Sequence, residues 1–228
     1  MRYKGYLGRD MRLVISFVFC LVLTGLSAQD HLKSVSLGYS VNSYSGDFSG
    51  YTKLRSGLHF GYHFNPTKRI SGLCNLRLGR VVAEQLEEID EVERLVNTGY
   101  FGLNFGLDFK LLTIKELFSF HIVPGVGFIR YNPKDAEGND LLSNNSSRAQ
   151  NESYSNFSIM LPVLLSSRIK LSDSFGIQVS TGFLNTRTDY LDNGSELFDA
   201  TDKDNVFVLD LGVYFTFKGK EPVRVTNE

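Results

Sequence analysis

From Ser34 onward, large apolar side chains alternate with small or polar ones in run after run. A period of two is the signature of β-strands with two unlike faces, and it excludes a helical domain. In the first run Val35, Leu37, Tyr39 and Val41 alternate with Ser34, Ser36, Gly38, Ser40 and Asn42. The second sets Leu58, Phe60, Tyr62 and Phe64 against Gly57, His59, Gly61 and His63, and the fourth Phe101, Leu103, Phe105, Leu107 and Phe109 against Gly102, Asn104, Gly106, Asp108 and Lys110. The last sets Phe207, Leu209, Leu211, Val213, Phe215 and Phe217 against Val208, Asp210, Gly212, Tyr214 and Thr216. Weaker versions over 70–81, 118–131, 157–169 and 175–188 bring the strands to eight.

Which face meets water follows from composition. A β-sandwich or a lipocalin also alternates, but its polar face is a solvated exterior rich in Lys and Glu. Here that face is Gly, Ser and Asn, with isolated charges at Arg77, Asp108, Lys110, Arg168 and Asp210. Such a face suits a narrow lumen, with the apolar face turned to lipid. The connections agree: short turns at 65–68, 112–116 and 171–174 alternate with long polar ones at 43–53, 82–98, 132–153 and 189–205. Short periplasmic turns and long outer loops are the habit of outer-membrane barrels. The expectation is an all-β, eight-stranded, antiparallel up-and-down transmembrane β-barrel of the OmpA-like kind, over 29–217, with both ends of the chain in the periplasm.

Residues 1–28 carry the marks of a secretory signal: Arg12, an apolar run from Leu13 to Leu23, then the small-residue stretch Thr24, Gly25, Leu26, Ser27, Ala28. The run is shorter than the roughly 20 residues a membrane helix needs. The true start is Met1 or Met11, and a periplasmic tail follows over 218–228. Cys20 leaves with the signal, so Cys74 has no partner for an internal disulfide, and bulky Phe19 before Cys20 argues against lipid attachment. A net charge of −1 gives a nucleic-acid partner no footprint.

Eight strands close around an interior just wide enough for side chains to fill. Asp108 and Asp210 therefore need partners, with Arg77, Lys110 and Arg168 available, and the five form an expected polar network plugging the lumen. A narrow channel or ligand-binding barrel is the alternative. No catalytic group or cofactor is expected. His63 and His121 lie near periplasmic turns, His59 sits mid-strand, His31 precedes the first strand, and His59 and His63 are about 13 Å apart on a strand, too far for one metal ion. Acidic groups at Glu84, Glu87, Glu88, Asp90, Glu91 and Glu93, and at Asp189, Asp192, Glu196, Asp199, Asp202 and Asp204, read as solvated outer surface in preference to Ca²⁺ loops, because the spacing and turn Gly of a calcium loop are missing. Leu86, Ile89, Val92 and Val96 have near-helical spacing and mark a possible short helix on the rim.

The closing Asp210, Gly212, Phe215 and Phe217 have the spacing of a last strand handed to the barrel-insertion machinery, with Gly212, Phe215 and Phe217 as its signal. Four segments carry a family resemblance: Tyr44 to Phe48 (YSGDF), Gly61 to Pro66 (GYHFNP), Pro124 to Pro133 (PGVGFIRYNP) and Thr188 to Asp192 (TDYLD). Together they resemble the small outer-membrane barrels of Bacteroidota that include PorG of the type IX secretion system. The resemblance implies a non-enzymatic structural or assembly barrel that sits in outer-membrane lipid and anchors a periplasmic ring of lipoproteins. Contacts to such a ring would come from the periplasmic face: Asn65, Lys68, Lys115, Asp173, Lys218 and Lys220.

Overall fold

The computed structural model describes residues 32–46, 50–84, 95–142, 154–194 and 203–218. The signal segment, His31, parts of the four long connections (47–49, 85–94, 143–153, 195–202) and the tail with Lys220 lie outside the described residues, as do Leu86, Ile89 and Val92. Nine strands run in chain order: β1 Leu32–Ser45, β2 Gly50–Phe64, β3 Ile70–Glu84, β4 Leu95–Ile114, β5 Phe118–Lys134, β6 Phe157–Met160, β7 Val163–Lys170, β8 Phe175–Phe183 and β9 Asn205–Lys218. Each pairs antiparallel with its neighbour, β4 joins β5, and β9 returns to β1, so the sheet closes. Closure matters because lipid offers no hydrogen-bond partner to a free strand edge.

Nine strands make eight staves. The single strand expected over 157–169 is split at Leu161 and Pro162, because a proline has no N–H to give the ladder. β5 pairs first with β7 and then with β6 across the break. The gap is stitched by Gly125 N–H donating to Pro162 O (2.9 Å), Leu161 N–H to Asn185 O (3.0 Å) and the Asn185 side-chain amide to Leu161 O (2.9 Å). Other boundaries also move. The strand expected over 175–188 stops at Phe183, whereas β3 and β4 reach into the expected 82–98 loop and pair up to Glu84 with Leu95. Val96 is thus a buried strand residue facing the lumen, and Glu84 forms an ion pair with Lys53 (2.9 Å).

The alternation translates directly into two faces. Leu37, Leu58, Phe60, Leu78, Phe101, Val126, Leu165 and Leu211 are exposed on the outside, Leu37 by 58% and Leu211 by 60%. Ser36, His59, Asn75, Arg77, Asn104, Asp108, Ser166 and Asp210 are buried inside. A large exposed apolar belt around a closed barrel belongs in a bilayer. Aromatic pairs border it at the short-turn end (Tyr62 with Phe64, Phe118 with Phe120, Phe175 with Phe215) and at the far end (Tyr51 with Phe183 and Phe207), matching the interfacial girdles of membrane barrels.

The β4–β5 connection is a tight hairpin. Leu117 N–H donates to Ile114 O, and both central residues, Lys115 (φ 49°) and Glu116 (φ 55°), take positive φ. This is the geometry of a type I′ turn, usually filled by Asn and Gly because L side chains resist it. The twist of the flanking strands imposes the turn on an unsuited pair. Replacing Lys115→Asn together with Glu116→Gly relieves that strain and should stabilise the barrel by about 1 kcal/mol, read as a higher urea midpoint in detergent.

Candidate functional site

The lumen is the one place where polar chemistry is concentrated. Near the short turns, six staves converge on Asp108. Its Oδ1 accepts from His121 Nδ1–H at 2.6 Å and its Oδ2 from Arg168 Nη2 at 2.6 Å. Arg168 also donates from Nε to Gln178 (2.9 Å) and from Nη2 to His63 Nδ1 (3.2 Å). Since His63 accepts at Nδ1, its Nε2 carries the proton and faces Ser36 Oγ at 3.2 Å. Gln178 continues the chain through Ser180 to Ser166.

A second layer centres on Asp210. Arg77 grips it with two parallel hydrogen bonds, Nη1 to Oδ1 at 2.9 Å and Nη2 to Oδ2 at 2.7 Å, and Ser40 donates to the same carboxylate. His59 Nδ1 lies 3.6 Å from Asp210, its ring occupying space left open by Gly38, where a Cβ would collide with it. Arg77 is 2% exposed and Asp108 1%. Within these two layers, two guanidinium and two carboxylate groups sum to zero charge, the condition under which buried ions are tolerable. Lys110 does not join them. It lies one inward position beyond Asp108, at the rim, and its ammonium donates to Thr67 O (3.1 Å).

Towards the outer end the lumen changes character. The expectation of a polar plug throughout is replaced by an apolar core of Val81, Val96, Ile129, Met160, Leu164, Val206 and Val208, closed by Leu184 and Leu191. Leu184 and Leu191 belong to the segment after β8, which turns inward over the mouth. Thr98 donates to Leu191 O, and the Tyr131 hydroxyl is 2.8 Å from Thr188 Oγ1. The Tyr44 hydroxyl lies 2.6 Å from Asp192 and 2.7 Å from Asp204, carboxylates that also accept from Gly194 N–H and Leu191 N–H, both at 2.7 Å. Asp192 and Asp204, expected on a solvated acidic surface, are instead buried structural acceptors, and Asp189 pairs with Lys203. Sequence patterning could not find the Tyr44, Thr98 and Tyr131 contacts, because each joins this segment to a strand distant in the chain.

One arrangement invites a catalytic reading: the Ser119 hydroxyl is 2.8 Å from His121 Nε2, and His121 Nδ1–H donates to Asp108. This is the order of a hydrolase triad. The surroundings do not complete it. Ser119 lies within β5, paired with Thr113 on one side and Arg168 on the other, so the nearby backbone N–H groups serve the ladder and cannot form an oxyanion hole. The second Asp108 oxygen is committed to Arg168. Among the described residues no group of three or more His, Cys, Asp or Glu side chains is gathered to hold a metal ion.

The remaining sequence-marked residues are spread around the barrel. Asn65 (φ 57°) and exposed Lys68, Lys115 and Asp173 lie at the short turns, where Asp173 pairs with Lys170 (2.6 Å). Gly212 packs against the Gly38 backbone inside, while Phe215 and Phe217 face outward; Lys218 ends β9.

No protein-family model and no curated protein matches this sequence. Among solved structures, the chain is similar to Ail, the attachment invasion locus protein of Yersinia pestis, with a TM-score of 0.50 and 17% identity over 83% of this chain and 100% of that one. It is also similar to Neisserial surface protein A, with a TM-score of 0.52 and 10% identity over 81% of this chain and 97% of that one. At these identities the likeness establishes the fold. The chain has the architecture of the eight-stranded barrels of the Gram-negative outer membrane, and its lipid-facing belt places it in that membrane.

Two outcomes follow from the lumen geometry. Asp210→Asn leaves Arg77 buried without its counter-charge and should cost about 3–5 kcal/mol, whereas the double change Arg77→Met with Asp210→Leu should recover most of that loss; urea titration of the folded barrel measures both. A fluorophosphonate probe should leave Ser119 unlabelled, and mass spectrometry of the treated protein checks this.

Proposed function

We propose that this chain is a non-enzymatic structural or assembly barrel of the outer membrane, anchoring a periplasmic type IX secretion complex in the manner of PorG. The observation that carries the reading is the filled lumen. A polar, charge-compensated layer occupies the short-turn half and an apolar core the outer half, which favours a role for the surfaces over one for the interior. The four sequence segments resembling the Bacteroidota barrels support the narrower assignment. On this reading residues 1–28 are the cleaved signal, and the turns carrying Asn65, Lys68, Lys115 and Asp173, with Lys218, Lys220 and the tail, face a ring of lipoproteins.

The test is recovery of partners from gently solubilised outer membranes through a tag in a surface loop. Periplasmic ring lipoproteins should co-purify and should be lost when Lys68, Lys115 and the tail lysines are replaced by Glu, with the heat-modifiable migration of the folded barrel unchanged. Planar-bilayer recordings of the purified protein should show no steady channel. A stable large conductance without ring partners would overturn the reading in favour of a channel.

A further inference from the structure

The short turns do not all end at one height. The Asp108 layer gives a reference, because His63, Asp108, His121, Arg168 and Gln178 touch one another across the lumen. Phe64, Phe118, Phe120 and Phe175, which border the belt, stand within three residues of that layer along their strands. The β2–β3 turn begins two residues from it at Asn65, and the β7–β8 turn three residues from it at Leu171. The tip of the β4–β5 hairpin, Lys115 and Glu116, is at least five residues from His121. This hairpin therefore projects past its neighbours by about two residues, or about 7 Å of strand. Every residue from Leu111 to Leu117 is exposed. That includes Thr113, which pairs with Ser119 on the inward parity, so the hairpin has cleared the lumen.

The rim also divides into two unlike halves. On the β4–β5–β7 side Leu111, Leu112, Ile114, Leu117 and Leu171 are exposed, Leu117 by 54%. Lys170 N–H donates to Leu117 O (2.7 Å), which sets Leu117 beside Leu171. Formal charges cancel on this side: Lys115 adjoins Glu116 at the tip, and Lys170 pairs with Asp173 (2.6 Å). On the other side stand Lys33, Lys68 and Arg69, with Lys110 holding Thr67 O. The described residues at the start of β1 and in the β2–β3 turn include no carboxylate. Lipid surrounds a barrel evenly and gives no reason for one aliphatic and one basic half, whereas a protein docked in one orientation does. The tip also keeps Lys115 and Glu116 at positive φ, a turn that suits neither, and strain of this kind collects where a surface is used.

We infer that the aliphatic β4–β5 tip and the basic β2–β3 turn together dock a periplasmic protein that presents an apolar face edged by carboxylates. Ile114, Leu117 and Leu171 enter the apolar face. Lys68 and Arg69 meet the carboxylates and fix the partner's rotation about the barrel axis. The inference rests on the anchoring reading above and narrows its contact to these two turns.

The test places the photocrosslinker benzoylphenylalanine at position 117, at position 67 or at lipid-facing position 58 of the tagged full chain in cells, with adducts identified by mass spectrometry. Positions 117 and 67 should capture the same periplasmic ring lipoprotein, and position 58 none. Ile114→Asp, and separately Lys68→Glu with Arg69→Glu, should each lower the yield from position 117 about tenfold, with heat-modifiable migration unchanged. Arg55→Glu, near the opposite end of the barrel, should have no effect. If Ile114→Asp does not reach the membrane, the charge variant decides. Lipid adducts alone at position 117, an adduct with a second copy of the barrel, or a protein adduct untouched by both variants would each overturn the docking face. Ring lipoprotein captured from position 67 but not from 117 would overturn it too, and would leave the anchoring reading standing. A different periplasmic protein, captured from position 117 and lost in both variants, would uphold the docking face and overturn the ring assignment.

Discussion

The requirement that organises this molecule is that no backbone N–H or C=O be left unpaired in hydrocarbon. A sheet meets it only by closing, and closing eight staves leaves an interior narrow enough to be packed. Everything inside then competes for the same volume. The wall answers with Gly38 and Gly212 where β1 and β9 approach, and with long side chains such as Arg77 and His59 only where the opposite wall gives way to them. Pro162 breaks the ladder, yet the same requirement is met locally by the Asn185 amide and the Leu161 and Gly125 N–H groups.

The interior solves two different packing problems along its length. Near the short turns, charges and hydroxyls are linked into layers whose formal charges cancel, so the buried ions are tolerated. Near the outer mouth, aliphatic side chains from the wall meet Leu184 and Leu191 from the segment after β8, which is pinned by Tyr44, Thr98 and Tyr131. Among the described residues, the chain's own segment after β8 thus closes the apolar core.

How much of this was legible in sequence depends on how local the cause is. Strand faces were readable because a period of two needs no knowledge of the partner, and Arg77, Asp108, Arg168 and Asp210 stood out as charges on an inward face. Which arginine meets which aspartate was not readable, since Arg77 and Asp210 are 133 residues apart and register sets the match. Lys110 had the right parity, but parity carries no height, and it falls at the rim. The turn at Lys115 and Glu116 has none of the residues that usually announce it. Asp192 and Asp204 looked like surface acids, and their burial rests on Tyr44 and on the Leu191 and Gly194 backbone donors of a segment that reads as a polar loop.

The Arg77–Asp210 pair joins the third strand to the ninth, and that bears on how the barrel is assembled. Arg77 stands on the third stave and its counter-charge on the last, so the two meet only in a sheet that has closed. The strand that bears Gly212, Phe215 and Phe217 also brings Asp210, so the step that seals the final seam is the one that neutralises the inside. A nearly complete barrel is therefore an electrically unbalanced one.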